Sequence, residues 1–161
     1  MAKKDWAVGI AEFKTTLSPD WLMAYGLGSC VGVTVYDRKK KIGGLAHVML
    51  PSSQLYSSNP LPGKYADTAI EALLKEMIEK GCDLSALEAK LVGGANMFES
   101  IVHQPIPVGL RNVAASRERL IEKGIPIVGE DVGGSQGRTM IFSLSDGRVE
   151  IRKVTQASKW I

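Results

Sequence analysis

The sequence has few of the residues that common metal and cofactor sites require. Among its 161 residues only two are cysteines, Cys30 and Cys82, and only two are histidines, His47 and His103. Their wide separation matches no familiar zinc-ligand spacing. The glycine-rich segment at 133–137 contains neither the P-loop lysine nor the dinucleotide-binding fingerprint. We therefore expect neither a metal nor a cofactor.

The sequence also lacks long apolar runs and a strong excess of one charge. No stretch approaches the length that crosses a bilayer, and the first ten residues contain no apolar core of a signal peptide. The net charge is +3, and the only tight basic run, at 38–41, lies where a turn is expected. These absences argue against a membrane-inserted protein and a nucleic-acid partner. We expect a single cytoplasmic domain over residues 1–161, with both cysteines reduced.

Hydrophobic periodicity predicts a mixed α and β domain. Strands are predicted at 6–10, 21–25, 31–36, 42–50, 87–92, 125–128, 139–144 and 148–154. Helical spacing of apolar residues at 66–78 predicts one helix, with Pro62 at its start and Gly81 at its end, and a second helix is predicted at about 110–123, closed by Gly124. Because many of the strands follow one another directly, we predict an α+β domain with mixed or antiparallel sheets covered by helices.

Cys30 ends a glycine-rich segment that could support nucleophilic chemistry. A cysteine hydrolase needs a thiolate, a base to generate it, and hydrogen-bond donors for the tetrahedral oxyanion. Glycines at 26 and 28 permit a tight turn that directs backbone N–H groups into a pocket beside the sulfur. Gly28 and Ser29 are therefore the candidates for the oxyanion-binding turn.

The candidate base follows from strand pairing. If residues 31–36 and 42–50 form a hairpin with a two-residue turn at Arg38-Lys39, Cys30 and His47 are directly opposite and on one face of the sheet. A slip of one residue would place them on opposite faces. From spacing alone, a buried inert cysteine and a satisfied structural histidine are the commoner alternatives.

Other candidate positions have simpler interpretations. Cys82 directly follows the first predicted helix and is interpreted as a structural or semi-exposed thiol. His103 lies in a proline-containing segment and is expected to face solvent. The 133–137 segment is interpreted as a turn or as an edge of the active site. Met97 and Phe98 are interpreted as core residues, with an exposed docking surface as the alternative.

Six segments of the sequence together resemble a known family. They are residues 26–32 (GLGSCVG), 46–51 (AHVMLP), 64–69 (KYADTA), 93–98 (GGANMF), 109–112 (GLRN) and 130–134 (EDVGG). Their order is similar to that of the chemoreceptor glutamine deamidases, known as CheD. The resemblance implies an α/β/β/α layered sandwich, similar to the catalytic domains of deamidating bacterial toxins.

The resemblance implies a protein-glutamine amidohydrolase that converts glutamines of methyl-accepting chemotaxis receptors to glutamate. Cys30 would attack the side-chain carbonyl, and His47 would move the protons through a thioester mechanism. Some family members also bind a CheC-type phosphatase. Met97 and Phe98 would suit a contact with the receptor or partner surface.

One position departs from the family pattern. Family members carry a threonine six residues before the cysteine, whereas this sequence has Ala24. The Ala24 backbone carbonyl is the predicted substitute for the hydroxyl that orients His47. The missing hydroxyl favours an alternative function, a non-catalytic regulatory partner of a CheC-type phosphatase or of the receptor. Intact Cys30 and His47 favour the enzyme.

Overall fold

The computed structural model describes residues 2–55, 61–98 and 106–161. Its strands are β1 (Asp5–Ala7), β2 (Phe13–Leu17), β3 (Trp21–Leu27), β4 (Val31–Asp37), β5 (Ile42–Val48), β6 (Leu87–Gly93), β7 (Ile127–Val132), β8 (Arg138–Ser143), β9 (Val149–Lys153) and β10 (Gln156–Trp160). Its α-helices are α1 (Ala66–Glu79) and α2 (Val108–Glu122), and short 3-10 helices occur at Ser53–Leu55, Pro62–Lys64 and Leu84–Ala86. No helix in these ranges is long and apolar enough to cross a membrane.

The strands form two five-stranded sheets. The first sheet has the order β1-β3-β8-β9-β10, and the second has the order β2-β5-β4-β6-β7. Within the first sheet only β1 and β3 are parallel, and within the second only β6 and β7 are parallel. Both sheets are therefore mixed, and the predicted α+β class is confirmed.

Both helices pack on the same face of the second sheet. Ile70 and Leu73 of α1 and Leu120 of α2 share one buried cluster with Val33 of β4. The other face of that sheet packs against the first sheet around Phe142 and its neighbours. Each amphipathic helix buries its apolar side against this one sheet.

The outer face of the first sheet is polar where β9 crosses it. Glu150 and Arg152 project from this face and pair through two hydrogen bonds of 3.0 and 3.1 Å. Within the described residues no α-helix packs there, so the layers run helix, sheet, sheet. The prediction had placed helices on both outer sides.

The β4–β5 hairpin is present, but its register differs from the prediction. Gly32, not Cys30, is opposite His47, and the connection spans four residues, 38–41. The predicted direct opposition of Cys30 and His47 is therefore wrong by two residues. Cys30 lies one residue before β4 and packs against the cluster between the sheets, and His47 has the same strand parity as Leu45 in that cluster, so the two side chains remain on the same side of the second sheet.

Asp37 explains the longer turn. Its Oδ1 accepts the Lys39 and Lys40 N–H groups at 3.1 and 2.9 Å, and its carbonyl accepts the Lys41 N–H at 2.7 Å. Lys41 adopts a left-handed conformation with φ of 54°. An aspartate that bonds the backbone two and three residues ahead favours this turn over a two-residue one.

Candidate active site

Cys30 lies in the short connection between β3 and β4, where backbone hydrogen bonds hold it on one side. The Cys30 carbonyl accepts the Gly94 N–H, and the Gly28 carbonyl accepts the Ala95 N–H, both at 2.8 Å. A side chain at Gly93, whose φ is 111°, would collide with the Cys30 carbonyl. Glycine at 93 therefore lets the end of β6 approach the cysteine connection closely. Cys30 itself is half-buried against the core between the sheets.

His47 is oriented by a backbone carbonyl. Its side chain lies on the inter-sheet face of β5 and is 2% exposed. The Nδ1 atom is 3.0 Å from the Val8 carbonyl oxygen. Because a carbonyl only accepts, Nδ1 carries the proton in the neutral ring and Nε2 holds a free lone pair. Nε2 is buried and has no hydrogen-bond partner among the described residues, so it is available to accept a proton.

The electrostatic environment keeps both side chains neutral at rest. Burial raises the pKa of the Cys30 thiol above its ordinary value. Burial also lowers the pKa of His47. This effect is larger than the raising effects of the Val8 hydrogen bond and of the Glu12 charge. A neutral thiol beside a neutral imidazole acts by general-base catalysis rather than as a preformed ion pair.

The orienting group differs from the predicted one. The Ala24 carbonyl was expected to accept from His47, but the acceptor is the Val8 carbonyl. β1 runs parallel to β3, with Ala7 opposite Met23 and the Val8 N–H donating to the Met23 carbonyl at 2.8 Å. This pairing places Val8 beside Ala24 and brings its carbonyl to the imidazole. The three-residue strand β1 carried no sequence feature that indicated its partner.

A threonine at position 24 should therefore add little to catalysis. We expect Ala24→Thr to change kcat/KM by less than about threefold, or ~0.6 kcal/mol, because His47 already has its acceptor. The side chain of Ala24 is fully buried, so the larger residue should lower stability by about 1–3 kcal/mol. Steady-state kinetics and thermal unfolding measure the two effects. An increase in kcat/KM of tenfold or more would show that the Val8 carbonyl orients His47 poorly.

The turn before Cys30 has the backbone geometry of an oxyanion-binding site. Among the hydrogen bonds of the described residues, none uses the N–H of Ser29 or the N–H of Cys30. The Gly28 carbonyl, which shares a peptide unit with the Ser29 N–H, accepts the Ala95 N–H. Free donors on a turn fixed from its other side suit a developing negative charge. The oxyanion role of Gly28 and Ser29 stays a prediction.

Met97 and Phe98 lie on the surface beside this turn. They are 49% and 64% exposed, so the interpretation as core residues is wrong. A side chain added at Gly28 would come 2.9 Å from the Met97 sulfur, which places Met97 directly over the turn. Two further exposed apolar residues border the site: Met49, whose carbonyl shares the Asn112 amide with the Ser29 carbonyl, and Leu110, whose side chain approaches Gly133. Together Met49, Met97, Phe98 and Leu110 are called the apolar patch below.

The 133–137 segment lies along the same edge. The Gly134 carbonyl accepts the Asn96 N–H at 2.8 Å, and the Gly133 N–H donates to the Gly93 carbonyl at 2.9 Å. These bonds connect the segment to the chain that carries Met97, as expected for an edge of the site. Cys82 is buried near Asp37, in the cluster between the helices and the second sheet. His103 lies outside the described residues.

Comparison with known proteins gives consistent matches. The family model described as CheD chemotactic sensory transduction matches residues 49–153. A protein of Clostridium novyi is 48% identical over 155 residues, which cover 96% of each chain. A protein of Caldanaerobacter subterraneus subsp. tengcongensis is 46% identical over 162 residues, covering 100% of each chain. One of Pyrococcus horikoshii is 44% identical over 153 residues, covering 95% of this chain and 94% of its own. All three are named probable chemoreceptor glutamine deamidase CheD.

Proposed function

Because the chain belongs to the CheD family of chemotactic sensory transduction proteins, we propose that it is a protein-glutamine amidohydrolase. Its substrates are glutamine side chains of methyl-accepting chemotaxis receptors, which it converts to glutamate. The receptor regions concerned are cytoplasmic, so the proposal places the chain in the cytoplasm. The observation that carries the proposal is the free, buried Nε2 of His47 on the side of the second sheet against which Cys30 packs.

In the proposed reaction, Cys30 attacks the side-chain carbonyl of the substrate glutamine. His47 Nε2 takes the thiol proton as the C–S bond forms, and the Val8 carbonyl stabilises the resulting imidazolium through Nδ1–H. The negative charge moves to the carbonyl oxygen, where the Ser29 and Cys30 N–H groups can donate to it. His47 then gives its proton to the departing nitrogen, and ammonia leaves a thioester on Cys30.

The second half of the reaction is hydrolysis. His47, neutral again, takes a proton from water as the water oxygen attacks the thioester carbonyl. The C–S bond breaks, the proton returns to sulfur, and the product is a glutamate side chain. Catalytic hydrogen bonds often tighten only in the Michaelis complex, so we expect the contact between the Cys30 thiol and His47 Nε2 to form as the substrate binds.

The apolar patch is the proposed receptor-binding surface. A receptor helix packed there would place a glutamine beside the cysteine turn, because Met97 lies directly against Gly28. Exposed aromatic and methionine side chains are typical of helix-binding surfaces.

Shortening Phe98 should weaken receptor binding. We expect Phe98→Ala to raise KM for a receptor fragment about tenfold with kcat nearly unchanged, as for loss of an aromatic interface residue. Ile121→Ala is the matched control, because Ile121 is 68% exposed and lies near the end of α2, whereas Leu110 of the apolar patch lies near its start. Steady-state deamidation kinetics measure both variants. An unchanged KM for folded Phe98→Ala would remove Phe98 from the receptor surface.

The proposed function is tested by incubating the protein with a receptor cytoplasmic fragment in oxygen-18 water. Mass spectrometry of the digested receptor should show glutamine converted to glutamate carrying one oxygen-18 atom. That label requires water attack on an acyl intermediate or amide, and it excludes glutamate already present in the fragment. Absence of conversion by folded protein that binds the receptor would reject the amidohydrolase.

In that event the alternative function would apply, a regulatory partner of a CheC-type phosphatase or of the receptor. Ala24 in place of the family threonine is the feature that favours it. The Val8 carbonyl weakens this argument, because it supplies an acceptor for His47 without the hydroxyl. We propose that a CheC-type partner, where one is present, binds the apolar patch and competes with the receptor.

A further inference from the structure

Asn112 of α2 reaches into the cysteine turn from the helical layer. The residue is fully buried, and its Nδ2 donates to the Ser29 carbonyl at 2.9 Å and to the Met49 carbonyl at 3.0 Å. Both hydrogens of the amide are therefore used. One bond holds the connection that carries the nucleophile, and the other holds the end of the strand that carries His47.

The close packing of α2 on the chain after β6 makes this reach possible. A side chain at Gly109 would collide with the backbone of Gly94 and Ala95, and a side chain at Gly94 would collide with the Gly109 carbonyl and Val113. The two backbones are thus in direct contact at the start of the helix. One turn later, Asn112 projects towards the cysteine turn.

The Ser29 carbonyl determines where the Cys30 N–H points. The two groups belong to one planar trans peptide unit, so they are directed oppositely. Because Asn112 holds the carbonyl on the helix side, the Cys30 N–H is directed away from the helix. That N–H makes no hydrogen bond among the described residues, so it remains available to a ligand.

Asn112 is costly at its position in the helix. Asparagine is a weak helix former, and its Oδ1 is buried without a hydrogen-bond partner among the described residues. An unsatisfied buried acceptor destabilises the fold. An apolar residue at 112 would avoid this cost but would leave the Ser29 and Met49 carbonyls unheld.

We propose that Asn112 is a positioning residue that fixes the Cys30 N–H as an oxyanion-hole donor by holding the Ser29 carbonyl. The inference deepens the proposed function and rests on it for the identity of the substrate. Its consequence is selective: reactions that pass through an oxyanion at Cys30 depend on Asn112, whereas reactions of the thiol without one do not.

The test compares two reactions of Cys30 in the full chain. Acylation by p-nitrophenyl acetate forms a tetrahedral oxyanion, whereas alkylation by iodoacetamide displaces iodide and forms none. We expect Asn112→Ala to lower the acylation rate relative to the alkylation rate at least about tenfold, a fraction of the effect of deleting an oxyanion donor. Rates for Cys30→Ala are subtracted to remove the contribution of Cys82.

Two further variants keep the test decisive. Ser116→Ala, one turn along α2, removes a buried hydroxyl that donates to the Asn112 carbonyl at 2.8 Å, and it should leave the ratio unchanged. If Asn112→Ala does not fold, the isosteric Asn112→Asp is judged by the same ratio. A fall of less than about threefold in the folded Asn112 variant, or an equal fall in Ser116→Ala, would overturn the inference.

The outcome is separable from that of the proposed function, because neither reagent involves a receptor. A parent protein that fails to deamidate the receptor while Asn112→Ala lowers the acylation ratio would reject the substrate and keep the positioning role. If the parent deamidates the receptor but Asn112→Ala leaves the ratio of acylation to alkylation rates unchanged, the proposed function is kept and the positioning role of Asn112 is rejected.

Discussion

Replacing Cys30 with alanine is expected to abolish deamidation of a receptor fragment, with a loss on the order of 10⁵-fold or more. In the proposed mechanism the thiol supplies the atom that forms the acyl intermediate, so no other group can compensate for it. The remaining turn and His47 could still bind substrate and polarise its carbonyl. Receptor binding should therefore persist in Cys30→Ala, and mass spectrometry should show unchanged glutamine.

Cys82→Ala is the matched control for that experiment. Cys82 is also a buried free thiol whose pKa is raised by burial, with further effects from Asp37. It packs in the cluster between the helices and the second sheet, on the opposite face of that sheet from His47. We expect its activity to match the parent within about twofold after correction for folded protein. Loss of activity in Cys82→Ala but not in Cys30→Ala would show that Cys82, not Cys30, is the nucleophile.

Local sequence patterns predicted the long elements well and the short edge strands poorly. The helix predicted at 66–78 is α1, and the one predicted at 110–123 is α2 with its start two residues earlier. The strands β2 and β10 were not predicted. β2 lies at a sheet edge, where its pairing with β5 supports it, and all five residues of β10 are exposed. Neither strand has the continuous apolar pattern on which strand prediction depends.

The relation between the two proposed catalytic side chains was predictable because it depends on strand parity. The sequence predicted that Cys30 and His47 lie on one face of a hairpin. The observed register differs from the predicted one by two residues, and a shift of two residues does not change the face. Their exact opposition did not survive, because it depended on the Asp37 hydrogen bonds that lengthen the turn. Alternation is a local property of strands, whereas register depends on turn chemistry.

The supporting groups were not predictable from local patterns. The Val8 carbonyl reaches His47 only because β1 pairs with β3, and backbone atoms carry no residue identity that a sequence could reveal. Asn112 reaches Ser29 across 83 positions of chain. The 109–112 segment was noticeable for its family resemblance, but its contacts required the packing of α2 on Gly94, which directly follows β6.

Replacing His47 with glutamine is the second change with a large expected effect. Glutamine cannot take up a proton at neutral pH, so the half-buried Cys30 thiol loses the base that ionises it. Because burial raises the pKa of this thiol, almost no thiolate forms without the imidazole. We expect deamidation to fall by about 10³- to 10⁴-fold, and the rate of Cys30 alkylation by iodoacetamide to rise only at higher pH than in the parent.

The pH dependence of the parent supplies an independent check on the same residue. The active form of His47 is the unprotonated ring, and burial lowers its pKa below the ordinary value. Activity should therefore persist as the pH falls through the ordinary histidine range and decline only below it. His103→Gln, which changes the other histidine, should leave this acidic limb in place. An acidic limb above the ordinary histidine pKa would instead show that the pKa of His47 is raised, contrary to the lowering that burial of the ring causes.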